Sequence, residues 1–117
     1  MGEKLAIISF ALTTAEFLAG EKWVTRRDWH PNHYRRWCQW WDKGLINHQA
    51  YDKVPHAGGK QIGRFKLTCR PYREKLKDMP ESDLQAEGGM CKTKEEYYKL
   101  IGKKPNDVVT VIRFKKL

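Results

Sequence analysis

Runs and alternations of apolar residues identify five strands in the sequence. Leu5 to Phe10 is apolar except for one serine, which predicts a buried strand. In Gln61 to Arg70, polar and apolar residues alternate, which predicts a strand with one buried face. The other three strands are an extended segment over Lys22 to Arg27, an edge strand over Pro71 to Lys77 and a last strand over Asp107 to Lys115.

Helix signals lie between these strands. Thr13 and Thr93 are each followed three residues later by a glutamate, which is a capping-box pattern that starts a helix. Gly20 and Gly102 lie where these two helices would end. A further short helix is predicted over Pro80 to Glu87.

The longest predicted helix follows an N-cap at Asn32 and runs to about Lys43, where Gly44 ends it. The residues of its apolar stripe are Tyr34, Trp37, Cys38 and Trp41. Leu45 to Gly59 shows no sustained periodicity, so we predict a long surface loop there.

Strands and short helices therefore mix without the β-α-β rhythm of a doubly wound fold. We predict an α+β fold with a curled or closed sheet, formed by a single domain over residues 1–117. Internal repeats and low-complexity linkers that would divide the chain are absent from the sequence.

The chain is strongly basic, and this charge narrows the choice of partner. Its 23 Lys and Arg against 14 Asp and Glu give a formal charge of +9 and a pI near 9.6. Such a charge attracts polyanions, so RNA or single-stranded DNA is the first partner to consider. The alternative is that the charge only keeps a small protein in solution.

The remaining composition favours a cytoplasmic protein without a cofactor. Three widely spaced cysteines predict free thiols in a reducing compartment. The apolar run from Leu5 to Leu12 is too short to cross a membrane, and the first residues do not resemble a secretory signal. His30, His33 and Cys38 form a weak metal pattern without a fourth ligand, so we predict no metal and no cofactor.

All five tryptophans lie within residues 23–41, interleaved with arginines. Aromatic faces stack on bases while cations neutralise phosphates, so this mixture suits single-stranded or extruded nucleotides. The alternative is a helix whose tryptophans form core; since Trp40 and Trp41 cannot face the same way, we expect some buried and at least one accessible. The predicted nucleic-acid-binding residues here are Trp23, Trp29, Trp40, Arg26, Arg27, Arg35 and Arg36.

A second basic stretch runs from Lys60 to Lys77, with seven basic residues and a single acidic one. Arg64 and Lys66 lie on the polar face of the predicted strand and are candidates for phosphate contact. The alternative is a solvated face whose cations only protect a sheet surface.

Three ordered segments resemble a known family. Residues 17–27 contain Gly20-x-Lys22-x-x-Thr25-x-Arg27, which is similar to the signature of ASCH domains. Residues 83–88 end in Glu87-Gly88 and resemble a short family segment, and residues 109–115 resemble the family's last barrel strand. The resemblance implies a PUA-like closed or partly open β-barrel with short peripheral helices, and residues 28–59 look like a Trp-rich helical insertion beside its cleft.

The resemblance also implies a role with RNA or modified nucleosides. Members of one bacterial branch hydrolyse the acetyl amide of N4-acetylcytidine, and others are described as ribonucleases or plain binders. The residues that match the catalytic positions are Lys22, Thr25 and Glu87. A desolvated lysine can activate a threonine hydroxyl, but residues three apart on a strand face opposite sides, so joint action of Lys22 and Thr25 requires a bulge or turn.

These observations leave three functional hypotheses. The first is a binding domain that recognises RNA or single-stranded DNA, at a modified or extruded base, through a basic, aromatic-lined cleft. The second is an enzyme, an amidohydrolase on acylated cytidine or a ribonuclease, that uses Lys22, Thr25 and Glu87. The third is an adaptor whose exposed tryptophans bind another protein.

Overall fold

Six strands and four α-helices make up the described part of the chain. The computed structural model describes residues 6–117, so Leu5 of the first predicted strand lies outside the described residues. The strands are β1 (Ile7–Ser9), β2 (Val24–Arg27), β3 (Asn47–Tyr51), β4 (Gln61–Leu67), β5 (Tyr72–Lys75) and β6 (Val108–Lys116). The helices are α1 (Thr14–Leu18), α2 (Pro31–Asp42), α3 (Asp83–Ala86) and α4 (Lys94–Ile101), with single 3-10 turns at Pro55–Ala57 and Leu76–Asp78.

The strands form one mixed, curled sheet in the order β1-β3-β4-β6-β2, with β5 also paired to β6. β1 is parallel to β3, and the other pairs are antiparallel. β6 is the hub, because it pairs with β2 along one edge and with β4 and β5 along the other edge. The resulting half-barrel with short peripheral helices confirms the predicted α+β fold with a partly open barrel.

Aromatic side chains fill the concave side of this sheet. The rings of Phe10 and Phe17 stack with centroids 4.9 Å apart, and Phe114 contacts both Phe10 and Phe65. Trp37 of α2 closes this core and is 1% exposed. A smaller cluster around Leu76, Met79, Leu84, Tyr97 and Val109 attaches α3 and α4 to the sheet.

The predicted half-buried strand is confirmed at β4, although it ends at Leu67 and not at Arg70. Phe65 and Leu67 are buried, whereas Arg64 and Lys66 are exposed on the outer face. The alternation in the sequence therefore reports the two faces of this strand correctly.

The loop predicted over residues 45–59 is wrong for residues 47–51, which form β3 between β1 and β4. β3 does alternate, but its two inward positions are His48 and Ala50, both fully buried. Since neither residue type marks a strand core, the hydrophobic pattern contained no signal for it. That residues 28–59 form an insertion stays a prediction.

The helix positions are confirmed, but two of the predicted caps are not. Thr13 precedes α1 without a side-chain capping bond, and the Thr14 hydroxyl instead donates to the Phe10 carbonyl over 2.7 Å. α2 is capped by His30, whose Nδ1 accepts from the Asn32 amide, so Asn32 lies inside the helix. The cap of α4 forms as predicted, because Thr93 accepts from the amide three residues later.

Within residues 6–117, no helix combines the length and apolarity needed to cross a bilayer.

Candidate functional site

A cavity of about 250 Å³ lies where the segment after β1, the strand β2, the end of α3 and the helix α4 meet. Its polar lining consists of Ser9, Thr13, Lys22, Thr25, Arg26, Arg27, Glu87 and Tyr97. The three residues predicted to be catalytic, Lys22, Thr25 and Glu87, therefore share one cavity. Lys22 and Glu87 are 65 residues apart in the sequence.

Lys22 and Thr25 reach the same cavity because β2 begins only at Val24. The backbone amide of Lys22 donates to Glu16 O in the middle of α1, and that of Trp23 donates to Ala86 O at the end of α3. Lys22 thus lies in the irregular approach to β2, where the alternation of a strand does not apply. This irregular segment before β2 supplies the turn that Lys22 and Thr25 need in order to act together.

The Lys22 ammonium is buried against Glu87. Its Nζ donates to the Glu87 main-chain carbonyl over 2.6 Å and to Glu87 Oε2 over 3.2 Å, and the residue is 3% exposed. Burial lowers the pKa of Lys22, and the attraction to the Glu87 carboxylate only partly opposes this effect. The amine is therefore easier to deprotonate than a surface lysine.

Thr25 is 3% exposed, and its hydroxyl oxygen accepts a hydrogen bond from Arg27 Nε over 3.1 Å. Arg27 also donates through Nη2 to Ser9 O over 2.7 Å and lies over the Phe10 ring at 5.6 Å. Burial lowers the pKa of Arg27. Because the hydroxyl accepts from a guanidinium, its oxygen is fixed in place and its own proton remains available for transfer.

Glu87 directly follows α3 and is 8% exposed. Its Oε1 accepts from Arg26 Nη1 over 3.0 Å, while Oε2 contacts Lys22. Tyr97 lies beside the same carboxylate; burial raises the pKa of Tyr97, and the charge and hydrogen bond of Glu87 raise it further. The carboxylate thus has donors on both oxygens.

The backbone conformation and the close packing at position 88 require the glycine that follows Glu87. Its φ of +128° is in the region that side chains rarely adopt, and a Cβ there would lie 2.8 Å from Thr13 Cγ2. The absence of a side chain lets the end of α3 approach the segment after β1, which closes that side of the cavity.

Arg26, a predicted nucleic-acid contact, lies among carboxylates of the protein itself. Its side chain is 0% exposed and is held by Asp83 at 2.6 Å, by Glu74 at 3.0 Å and by Glu87 at 3.0 Å. Arg113 donates to the same Asp83 oxygen, Oδ2, over 2.6 Å and to Oδ1 over 3.3 Å. The Arg26 guanidinium is therefore paired with carboxylates of the protein itself.

The predicted tryptophans do not join the cavity. Trp29 and Trp40 are half-buried and pack on Trp37, with centroid distances of 5.2 and 5.5 Å. Trp23 is 45% exposed and lies under Arg113. Some tryptophans are thus buried and one is accessible, but among the described residues the cavity's aromatic lining is Phe10 and Tyr97.

The remaining predicted cations lie elsewhere on the surface. Arg35 and Arg36 are exposed on α2, and Arg64 and Lys66 are exposed on β4. Since neither α2 nor β4 contributes to the lining, these cations and the cavity do not form one cleft.

Several residues of the cavity were missed from the sequence. Leu12, Met90 and Leu100 line it while remaining 68%, 48% and 45% exposed, so they form an apolar mouth. Tyr97 was missed as well, although its position one turn after Thr93 places it on the first turn of α4. The sequence contains no signal that distinguishes these residues from ordinary surface or helix positions.

Neither a metal nor a disulfide is indicated in residues 6–117. No group of three His, Cys, Asp or Glu side chains in this range is arranged to hold a metal ion. Cys38, Cys69 and Cys91 are free thiols, and Cys38 donates weakly to Pro71 O.

Comparison with known proteins identifies the fold. No family model matches the chain, and no curated protein matches its sequence. An ASCH domain from Lactobacillus crispatus has a similar crystal structure, with a TM-score of 0.62 at 13% identity over 97% of this chain and 79% of that one. The chain has an ASCH-like fold.

A second crystal structure agrees with this assignment. A protein from Enterococcus faecalis, described by the family model DUF984, has a TM-score of 0.66 at 12% identity over 100% of this chain and 78% of that one. At such identities the similarity concerns the fold alone. The resemblance drawn from the residues is confirmed at that level, as an ASCH-like, PUA-like α+β half-barrel.

Proposed function

We propose that this chain binds one nucleoside-sized group in the cavity and hydrolyses the acyl amide of an N4-acylated cytidine in the cytoplasm. The observation that carries the proposal is that Lys22, Thr25 and Glu87 share one buried cavity, with Lys22 held by Glu87. At about 250 Å³ the cavity is just below the usual range for drug-sized ligands, which suits a single nucleoside better than a strand.

The chemistry begins at Thr25. Its hydroxyl oxygen attacks the acyl carbon while the neutral Lys22 amine takes the hydroxyl proton, which gives a tetrahedral adduct. Lys22 then passes that proton to N4, and the carbon–nitrogen bond breaks. Cytidine leaves, and the acyl group stays on Thr25 as an ester. Water attacks this ester, Lys22 moves a proton from the water to the Thr25 oxygen, and the carboxylic acid is released.

Each residue has one task in this sequence of steps. The lowered pKa of Lys22 supports its role as the base. Arg27 donates to the Thr25 oxygen and holds it in place, and Glu87 orients the lysine through two hydrogen bonds. The apolar mouth of Leu12, Met90 and Leu100 would contact the acyl group and the face of the base.

The test is incubation of the pure protein with N4-acetylcytidine, with cytidine release followed by liquid chromatography. Cytidine release by the wild type, and its loss in Lys22→Met, supports the proposal. The matched control is Lys115→Met, which removes an exposed lysine of β6 outside the cavity. A wild type that releases no cytidine, or a Lys22→Met variant that releases it at the wild-type rate, would reject the proposal.

Binding of RNA or single-stranded DNA is the second candidate. It is favoured by the formal charge of +9 and by the exposed cations Arg35, Arg36, Arg64 and Lys66. Binding would then weaken with added salt, and the double variant Arg35→Gln/Arg36→Gln would reduce the slope of log affinity against log salt by about 1.4 for a single strand. Titration of a fluorescent single-stranded oligonucleotide measures both, and an unchanged slope would exclude these two arginines as phosphate contacts.

A further inference from the structure

The Lys22–Glu87 pair is one end of a larger buried ion network. Arg26 joins the other Glu87 oxygen and also holds Glu74 and Asp83, and Asp83 is shared with Arg113. The side chains of Lys22, Glu87, Arg26 and Asp83 are 4%, 8%, 0% and 2% exposed. Six charged groups are therefore connected, and three of them, Lys22, Arg26 and Glu87, line the cavity.

Stability alone is a weak reason for such a network. Removing charged groups from water costs several kcal/mol per ion, and well-packed apolar residues often replace buried ion pairs without loss of stability. What an apolar replacement could not do is fix a carboxylate. Arg26 Nη1 holds Glu87 Oε1 at 3.0 Å, which leaves Oε2 turned toward Lys22.

We propose that Arg26 is a positioning residue of the cavity: it binds Glu87 Oε1 and so brings its positive charge to the Lys22–Glu87 pair, and Glu74 balances part of that charge. The placement of Glu87 and Lys22 stands on the contacts of the network. Its consequence for turnover rests on the proposed amidohydrolase function.

The network makes an electrostatic prediction for Lys22. The groups that act on its proton are Glu87, which stabilises the charged form, and Arg27 and Arg26, which destabilise it; the Phe10 ring lies 5.9 Å from Nζ. Loss of the Arg26 charge therefore raises the proton affinity of Lys22. Loss of the Glu74 charge leaves the Arg26 charge less balanced and lowers the proton affinity of Lys22.

The two variants are thus expected to shift Lys22 in opposite directions. In Arg26→Gln the titration of Lys22 moves up by about one pH unit, and in Glu74→Gln it moves down by roughly half a unit. A residue that only supports packing would not produce shifts of opposite sign. Arg70→Gln is the matched control, because it removes an arginine from an exposed ion pair with Asp42.

The measurement is an NMR titration of protein labelled with carbon-13 at the lysine ε position, with the Lys22 signal assigned by its loss in Lys22→Arg. Opposite shifts in Arg26→Gln and Glu74→Gln, with Arg70→Gln like the wild type, support the proposal. Unmoved titrations, or shifts of the same sign, overturn it. If Arg26→Gln does not fold, Glu74→Gln decides alone: a downward shift supports the proposal and no shift overturns it.

Turnover of N4-acetylcytidine by the same variants separates this proposal from the proposed function. If the hydrolase exists, the acid limb of the kcat/KM profile moves with the Lys22 titration in each variant. Opposite NMR shifts in a protein without turnover would reject the hydrolase and retain the positioning role. Turnover with an unmoved Lys22 titration would reject the positioning role and retain the hydrolase.

Discussion

His48 makes the stability of the fold depend on pH. It is fully buried on β3, with its ring 4.5 Å from Trp37 and 5.9 Å from Trp40. Nδ1 accepts from the Ala6 amide over 3.2 Å, so Nε2 carries the hydrogen and donates to Leu45 O over 3.1 Å. A second proton would break the bond to Ala6, and burial lowers the pKa of His48 to about 4.

The magnitude follows from the difference between the folded and unfolded states. An unfolded histidine has a pKa of 6.5, so between that value and about 4 the unfolded chain binds a proton that the folded chain does not. The free energy of unfolding therefore falls as the pH falls through this window. From about pH 7 to about pH 4.5 the loss is about 2 kcal/mol, which is a large part of the stability of a small domain.

Urea unfolding, followed by tryptophan fluorescence at a series of pH values, measures this dependence. The variant His48→Gln keeps an acceptor and a donor in the side chain but has no titrating group. We expect it to be less stable than the wild type near pH 7 and to lose about 2 kcal/mol less between pH 7 and pH 4.5. His33, whose pKa burial also lowers, contributes equally to both proteins. Parallel curves for the two proteins would refute the reasoning.

Three further predictions concern the cavity. Thr25→Val removes the hydroxyl at nearly constant volume, so turnover of N4-acetylcytidine is lost while the circular dichroism spectrum is unchanged; Thr25→Ser, which keeps the hydroxyl, retains part of the rate. Gly88→Ala costs about 2 kcal/mol of unfolding free energy in urea, because a Cβ would lie 2.8 Å from Thr13 Cγ2 at a φ of +128°; an unchanged midpoint would contradict this. Leu12→Ser raises KM severalfold in steady-state kinetics with less effect on kcat, since it removes apolar contact at the mouth; a fall in kcat alone would contradict this.

The parts of the fold that follow simple patterns could be predicted from the sequence. The alternation in β4 separates buried Phe65 from exposed Lys66 because one face of that strand packs on the core. The cap at Thr93 also forms, because its extended backbone lets the threonine oxygen reach an amide of the first turn.

The remaining parts depend on contacts between distant segments. β3 was missed because its core positions are His48 and Ala50, and a histidine marks a core only when partners such as Ala6 and Leu45 satisfy its nitrogens. Arg26 was predicted to contact nucleic acid because the sequence does not show which carboxylates surround its side chain.

The candidate site was partly predictable for a related reason. Lys22, Thr25 and Glu87 were found through a motif, and their convergence in one cavity agrees with it. The predicted opposition of Lys22 and Thr25 did not arise, because the strand begins after Lys22. The apolar mouth and Tyr97 were missed because leucine, methionine and tyrosine are common on helices and loops of any domain.

The hub role of β6 has a consequence for synthesis on the ribosome. In the described part of the chain β2 pairs with β6 alone, yet β2 is made about 80 residues earlier. Until β6 emerges, Thr25 and Arg26 lie on a strand without a partner, and the cavity cannot be assembled. A nascent or prematurely terminated chain that lacks residues 108–116 would expose the edges of β2, β4 and β5, and would be a target for chaperones and proteases rather than a weakly active protein.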